Sequence, residues 1–184
     1  MDIKATPFSL RTLSFNVWAA PVVGRHQRER VAALLAHVAA ERAAGRAYDL
    51  LGLQEVFTPQ ARAALRAGLA ARGLPHFAAF ASGSDLPLGA DGSGCCVASR
   101  FPLLETAWRA FSASGRPERL DQFDHQAGKG VGLARVLLPG GAGTADVYVS
   151  HFVAQYRDGA ADAYACQRAL QALEVAAFVR VTRR

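Results

Sequence analysis

The sequence of 184 residues is poor in cysteine and in long apolar runs, and each of these shortages excludes a class of protein. The three cysteines, Cys95, Cys96 and Cys166, form neither a C-x-x-C pair nor a cysteine–histidine spacing that would hold zinc. The adjacent Cys95 and Cys96 should point to opposite faces of a strand. We therefore expect three buried thiols in a reducing compartment.

No apolar stretch approaches the ~20 residues that a membrane-spanning helix needs, because a charged residue or a histidine interrupts every one. Residues 1–11 carry a lysine and an arginine without a continuous apolar segment behind them, which argues against a secretory signal. We expect a cytoplasmic or peripheral membrane protein with no transmembrane helix in this chain.

The composition is typical of a globular domain, since hydrophobic residues make up 51% and charged residues 20% of the chain. The formal net charge is +6, and Lys4 and Lys129 are the only lysines among the 21 basic residues. A basic surface favours polyanions such as nucleic acid or an anionic lipid face. Abundant arginine with abundant alanine also arises from GC-rich coding, so the charge alone leaves both explanations open.

Apolar periodicity predicts alternating strands and helices in the first part of the chain. Residues 11–18 and 49–56 have the pattern of buried strands, and residues 25–46 have the one-sided apolar stripe of a helix packed on a sheet. Thr58 followed by proline is typical of a helix N-terminus, and this second helix should end near residue 72.

The remainder of the chain is predicted to contain short strands, two long loops and one helix. The strands are expected at residues 76–81, 94–99, 103–113, 130–138 and 145–152. The loops at residues 82–93 and 114–128 are long enough to be functional. The final helix, from about residue 162, should bury one face that carries Leu170, Leu173, Ala177, Phe178 and Val181.

Asn16 and Glu55 are candidate ligands for a divalent cation. Each lies near the carboxyl end of a predicted buried strand, where open α/β sheets bind their ligands. A carboxylate with a carboxamide oxygen suits Mg²⁺, which takes one or two protein carboxylates and keeps water and phosphate as its other ligands. The alternative is that Asn16 caps a turn and Glu55 is a solvated charge at a strand end.

His151 ends another predicted strand and would reach the same edge, where it could contact or protonate a phosphoryl group. The alternative is a structural histidine with one satisfied hydrogen bond. The other histidines, which we expect to be structural or solvated, are His26, His37, His76 and His125.

Asp124 and Lys129 lie five residues apart beside glycines, which makes Lys129 a candidate phosphate contact. The segment is not a P-loop, because it lacks the glycine-rich run that ends in Lys-Ser or Lys-Thr. A surface ion pair between the two residues is the alternative.

Several motifs resemble those of the Mg²⁺-dependent neutral sphingomyelinases, and most closely the branch with the fungal inositol phosphosphingolipid phospholipases. They follow one another in family order at residues 13–21, 51–57, 92–102, 114–117, 128–132, 150–151 and 164–178. The Asn16 and Gln54–Glu55 motifs belong to the wider endonuclease/exonuclease/phosphatase superfamily and do not define a substrate. Trp18 with Pro21, and the Gly-Ser-Gly-x-Cys-Val strand, are similar to the sphingomyelinase group in particular.

The resemblance implies an α/β (α+β) fold, which is the N-terminal half of a four-layer α/β/β/α sandwich with mostly antiparallel sheets. Residues 1–184 would form an incomplete domain whose matching region covers about residues 11–181. The family continues into a Gly-Asp-x-Asn strand and later an Asp-His pair that contains the general base, and neither motif follows residue 151. Many members also carry a second histidine where this chain has Val153. We expect little or no turnover by this chain alone.

By the same resemblance, Glu55 is the direct carboxylate ligand of Mg²⁺ or of Mn²⁺, Asn16 helps to hold the metal, and His151 contacts the scissile phosphate. Asp124 and Lys129 match a pair that switches the site into its active arrangement. The implied reaction hydrolyses a phosphosphingolipid at a membrane surface to ceramide and a phosphorylated head group, with anionic phospholipid as a further partner. Two other interpretations stay open: a superfamily endonuclease or inositol-phosphate phosphatase, and a non-catalytic lipid-surface or interaction module.

Overall fold

The protein is described here by a computed structural model that covers residues 9–21, 24–81, 92–116, 127–157 and 162–184. Within these ranges two β-sheets pack face to face, with two helices outside one sheet and one helix outside the other. The layers therefore follow the order α/β/β/α, which confirms the fold class implied by the resemblance.

The first sheet has four described strands. They are β1 (Thr12–Ala19), β2 (Leu50–Val56), β3 (His76–Ala79) and β4 (Cys96–Ser99). Across the sheet the order is β1–β2–β4–β3, in which β1 and β2 are parallel and β4 is antiparallel to both of its neighbours. The strands β1 and β2 consequently end at the same edge of the sheet.

Two helices follow the parallel strands and cover the outer face of the first sheet. Helix α1 (Gln27–Ala43) buries Val31, Leu34 and Val38, and helix α2 (Pro59–Ala70) buries Leu65 and Leu69. The predicted start of α2 is confirmed, because the Oγ1 atom of Thr58 accepts a hydrogen bond from the backbone N–H of Ala61 over 3.3 Å.

The second sheet is an antiparallel meander of β5 (Leu103–Ala110), β6 (Gly130–Leu137) and β7 (Thr144–Ser150). The central strand β6 is buried at every position except Leu137. Its outer face packs against helix α3 (Ala165–Thr182), mainly through Val131, Leu133 and Phe178.

The core between the sheets is formed by Phe80, Cys95, Val97, Ala134 and Val149. The two sheets approach closely at Gly132, where an added Cβ atom would lie 2.7 Å from carbon atoms of the Phe80 ring. The absence of a side chain at residue 132 therefore permits the ring to pack directly against β6.

The prediction for the packed face of α3 was correct for Phe178 and wrong for three other residues. Leu170, Leu173 and Val181 are 51%, 67% and 73% exposed, whereas the buried residues of α3 are Gln171 and Phe178. Alanine occupies many positions of this helix, so apolar residues occur on more than one face and their spacing does not identify the one that packs on β6.

The prediction for the cysteines was correct for two of the three. Cys95 faces the core between the sheets and the buried Cys96 faces the helices α1 and α2, as alternation on a strand requires. Cys166 is exposed in the first turn of α3, so the prediction that it is buried was wrong.

The long loops predicted at residues 82–93 and 114–128 lie largely outside the described residues. Among the helices that are described, none has both the length and the apolar character needed to cross a membrane.

Candidate functional site

The backbone is irregular where β1 and β2 approach their common edge. The parallel register pairs Asn16 with Gln54 and then shifts, so that Ala19 pairs with Val56. Trp18 and Glu55 have φ angles of +54° and +57°, in the left-handed region that residues other than glycine rarely adopt. Such backbone strain is concentrated at functional sites, and here it changes the direction of the side chains at the strand ends.

The side chains of Asn16, Glu55 and His151 meet at this edge. The Nδ2 atom of Asn16 donates to Oε1 of Glu55 over 2.7 Å, and Nε2 of His151 lies 3.2 Å from the same oxygen. His151 directly follows β7, so the second sheet contributes this residue to a site whose other members come from the first sheet. Asn16 and His151 are therefore both in direct contact with Glu55.

The orientation of the Asn16 side chain follows from its two partners. The backbone N–H of Trp18 donates to Oδ1 of Asn16 over 2.9 Å, so the oxygen of the amide faces Trp18. The amide nitrogen must then face the carboxylate of Glu55, which is a hydrogen-bond acceptor. The turn-capping role considered as an alternative for Asn16 thus exists alongside its contact with Glu55.

Glu55 is held as a carboxylate by its surroundings. Burial alone would raise the pKa of Glu55, but hydrogen bonds from His151 and Asn16 and the positive charge of Lys129 outweigh that effect and lower it. Its side chain is 18% exposed, so it is not the solvated charge considered as an alternative.

Lys129 lies at the same edge, immediately before β6. Lys129 is only 4% exposed, and its Nζ atom donates a hydrogen bond to the backbone oxygen of Phe152 over 2.7 Å. Lys129 is therefore buried, and the alternative of a surface ion pair is wrong for this residue. Its predicted partner Asp124 lies outside the described residues, so the pairing of the two stays a prediction.

Three of the remaining histidines are described, and His125 is not. The side chain of His26 is 77% exposed, and Nε2 of His37 lies 3.0 Å from the hydroxyl oxygen of Tyr48. His76 begins β3 and pairs with Ser99 of β4. Their positions agree with the structural or solvated roles that we expected.

The side chains at this edge are compatible with a magnesium ion bound through the single carboxylate of Glu55. Among the described residues, none donates a hydrogen bond to Oε2 of Glu55, whereas Oε1 is occupied by Asn16 and His151. The described residues contain no group of three or more acidic, histidine or cysteine side chains close enough for a metal. Mg²⁺ needs only one or two carboxylates when water and phosphate complete its coordination.

Sequence reasoning missed Gln171 of α3, whose side chain is fully buried and reaches the backbone two residues beyond His151. Its signal in the sequence is a polar residue within a helix that otherwise carries apolar residues on several faces. That signal is weak, because glutamine is also common on exposed helix surfaces.

Comparisons of the sequence with a family profile and with individual proteins agree with one another. The sequence profile of the Endonuclease/Exonuclease/phosphatase family matches residues 13–179. A protein described as a putative neutral sphingomyelinase from Drosophila melanogaster is 36% identical over 174 residues, which are 95% of this chain and 36% of that protein. An inositol phosphosphingolipids phospholipase C from Schizosaccharomyces pombe is 31% identical over 180 residues, which are 98% of this chain and 39% of that protein.

A solved structure with the same fold is that of a beta toxin variant from Staphylococcus aureus with bound magnesium ions. It aligns with a TM-score of 0.70 and 18% sequence identity over 96% of this chain and 61% of the toxin chain. The chain thus spans little more than a third of the length of the curated relatives it matches, at 36% and 39%. Because the family profile covers nearly all of it, the chain belongs to the endonuclease/exonuclease/phosphatase family.

Proposed function

We propose that this chain carries part of the active site of a magnesium-dependent phosphodiesterase that hydrolyses phosphosphingolipids. The reaction would release ceramide and a phosphorylated head group at a membrane surface. The observation that carries the proposal is the contact of both Asn16 and His151 with Glu55 at one edge of the sandwich. The substrate class is supported by the similarity to neutral sphingomyelinases and to a phospholipase C of inositol phosphosphingolipids.

Glu55 would hold the metal through Oε2, with Asn16 keeping the carboxylate in place through Oε1. When bound, Mg²⁺ supplies charge stabilisation to a phosphoryl oxygen, and Mn²⁺ could replace it. The lowered pKa of Glu55 favours this role, because an ionised carboxylate is required for metal binding.

His151 and Lys129 would bind the phosphate of the substrate. His151 contacts Glu55, and Lys129 is close enough for its charge to lower the pKa of Glu55. Each can donate a hydrogen bond to an anionic oxygen. Lys129 is restrained by the carbonyl of Phe152 and, in the proposed switch, would exchange contacts with Asp124. Fixed donors aimed at a phosphate stabilise the charge that develops in a phosphoryl transition state.

The residues that activate the attacking water are proposed to lie in sequence that this chain does not contain. Among the described strands, β1 is an edge strand of the first sheet and β7 is an edge strand of the second, and both border the site. A groove of about 490 Å³ opens between β1, β2 and β7, and further strands would fill it. The isolated chain should therefore bind metal but turn over substrate poorly.

The metal proposal is tested by calorimetric titration of the full chain with MgCl₂. Glu55→Gln should weaken Mg²⁺ binding by at least about tenfold, because it removes the only charged ligand assigned to the site. Glu29→Gln is the matched control, since its side chain is 73% exposed on α1 and loses the same charge. Equal Mg²⁺ binding by all three proteins would overturn the assignment of Glu55.

The reaction is tested by joining this chain to the part of the Drosophila melanogaster relative that follows its matched region. The chimera should hydrolyse sphingomyelin vesicles when Mg²⁺ is present, whereas the chimera with Glu55→Gln and each part alone should not. Sustained hydrolysis by the 184-residue chain alone would contradict the proposed incompleteness. Cleavage of DNA or inositol phosphates without cleavage of phosphosphingolipid would support the other enzymatic interpretation.

A further inference from the structure

Gln171 is the one polar side chain of α3 that is completely removed from solvent, with 0% exposure. Burying an uncompensated amide is unfavourable, so both ends of such a side chain need partners. The Oε1 atom accepts a hydrogen bond from the backbone N–H of Val153 over 3.0 Å, and the Nε2 atom donates to the carbonyl of Ala113 over 2.8 Å. Gln171 therefore joins two separate backbone segments to α3.

One of these segments is the part of the chain that leaves β7 with His151. The ladder between β6 and β7 ends at the pair Val131 and Ser150, so the ladder does not hold residues 151–153 in place. Each of the three is instead held by a different part of the fold: His151 by Glu55 of β2, the carbonyl of Phe152 by Lys129 just before β6, and the N–H of Val153 by Gln171 of α3.

The contacts of Lys129 and Gln171 are made to a single peptide unit. The carbonyl of Phe152 and the N–H of Val153 belong to the same planar trans peptide group and point in opposite directions. Lys129 holds one side of that group, and Gln171 holds the other. A rotation of the peptide plane would consequently displace the anchor of the Lys129 ammonium and the backbone that carries His151.

We propose that Gln171 is a positioning residue that sets the orientation of the Phe152–Val153 peptide and, through it, the positions of Lys129 and His151. The relevance of this role to catalysis rests on the proposed function, which assigns those two residues to phosphate binding. The contact with Ala113 fixes the orientation of the Gln171 amide. The Nε2 atom donates to the carbonyl of Ala113, so the Oε1 atom faces the N–H of Val153.

The test compares variants of the full chain by NMR at a fixed pH, without metal or substrate. Gln171→Met keeps the length of the side chain but removes both hydrogen bonds. Thr182→Val is the control, because it removes a different contact of α3. Oγ1 of Thr182, at the C-terminal end of the helix, lies 2.9 Å from the hydroxyl oxygen of Tyr148.

In Gln171→Met, hydrogen exchange at the Val153 amide should accelerate on the order of tenfold, since its buried acceptor is lost. The ring resonance of His151, identified by its absence from a His151→Gln spectrum, should shift or broaden. Thr182→Val should lower the melting temperature but leave both signals as in the wild type.

Unchanged exchange at Val153 and an unchanged His151 resonance in Gln171→Met would overturn the proposal. So would the same His151 change in Thr182→Val, because it would reflect general loosening of α3. If Gln171→Met does not fold, Gln171→Asn, which withdraws the amide by one carbon, is judged by the same two signals. None of these readouts needs Mg²⁺ or substrate, so failure of the metal proposal at Glu55 is seen separately.

Discussion

Asn16 and Glu55 are in contact even though the strand register pairs Asn16 with Gln54. In a regular ladder, adjacent residues of a strand point to opposite faces, so Glu55 would face away from Asn16. The left-handed conformation of Glu55, with φ of +57°, interrupts that alternation and brings its carboxylate to the amide of Asn16. The contact that defines the site therefore depends on a local departure from β geometry.

Replacement of Asn16 should reveal how this contact stabilises the metal-free protein. Asn16→Asp would place a second carboxylate against Glu55 and should lower the free energy of unfolding by about 2 kcal/mol, because like charges repel at close range. Asn16→Ala removes the hydrogen bonds with Glu55 and Trp18 without adding a charge and should cost about 1 kcal/mol. Urea unfolding at pH 7 with EDTA measures both. If Asn16→Asp were as stable as the wild type, Glu55 would not be ionised in the folded protein.

The elements that position the site were predictable where local signals are strong. The positions of the strands that carry Asn16 and Glu55, and the helix start at Thr58, follow from apolar periodicity and capping chemistry that act over a few residues. The burial predicted for the first strand was wrong, because β1 lies at the edge of the described sheet and only Val17 and Ala19 of it are buried. The convergence of these strand ends with His151 also agrees with the sequence-based expectation, since the ends of β1, β2 and β7 lie at one edge.

The contacts within the site were less predictable, because they depend on tertiary geometry. The register shift after Asn16 is not signalled by glycine, and Glu55 adopts a positive φ angle that its residue type disfavours. The burial of Lys129 and Gln171 likewise depends on backbone groups that only the folded chain brings near them. For the same reason, residue types could not identify which face of α3 packs on β6.

Gly132 and Gly52 form a matched pair for testing how closely the layers approach. A Cβ atom at residue 132 would lie 2.7 Å from the Phe80 ring, whereas at residue 52 the nearest atom outside the adjoining residues is 3.7 Å away, on Val149. Gly132→Ala should therefore destabilise the protein by about 1–3 kcal/mol, and Gly52→Ala should change its stability by less than about 1 kcal/mol. Thermal unfolding of both variants measures this difference. A tolerated alanine at residue 132 would mean that Phe80 can move.

Asp146 should make the stability of the second sheet depend on acid pH. Hydrogen bonds from Arg135 lower the pKa of Asp146, and the backbone N–H of Arg184 adds to this effect, which outweighs its partial burial. The unfolded chain regains the ordinary aspartate value of about 3.9. The stabilisation is thus complete above that value and is lost as the pH falls through the lower pKa of the folded state.

The measurement is the difference in unfolding free energy between the wild type and Asp146→Asn at a series of pH values. This difference should be largest near neutral pH and should shrink as the pH is lowered from about 6 to about 2. Glu29→Gln corrects for the loss of one negative charge at an exposed position. A difference that stays constant over this range would show that Asp146 does not gain stability from its pairing with Arg135.

The three cysteines should differ sharply in reactivity. Burial raises the pKa values of Cys95 and Cys96 to about 12, and both thiols are inaccessible within the folded sandwich. Cys166 is exposed on α3, and alkylation requires both access and a thiolate. Iodoacetamide at about pH 8 should therefore modify one cysteine in the folded protein and all three in urea, as counted by intact mass. Modification of Cys95 without unfolding would show that the core between the sheets opens under native conditions, and Cys166→Ser should abolish labelling of the folded chain.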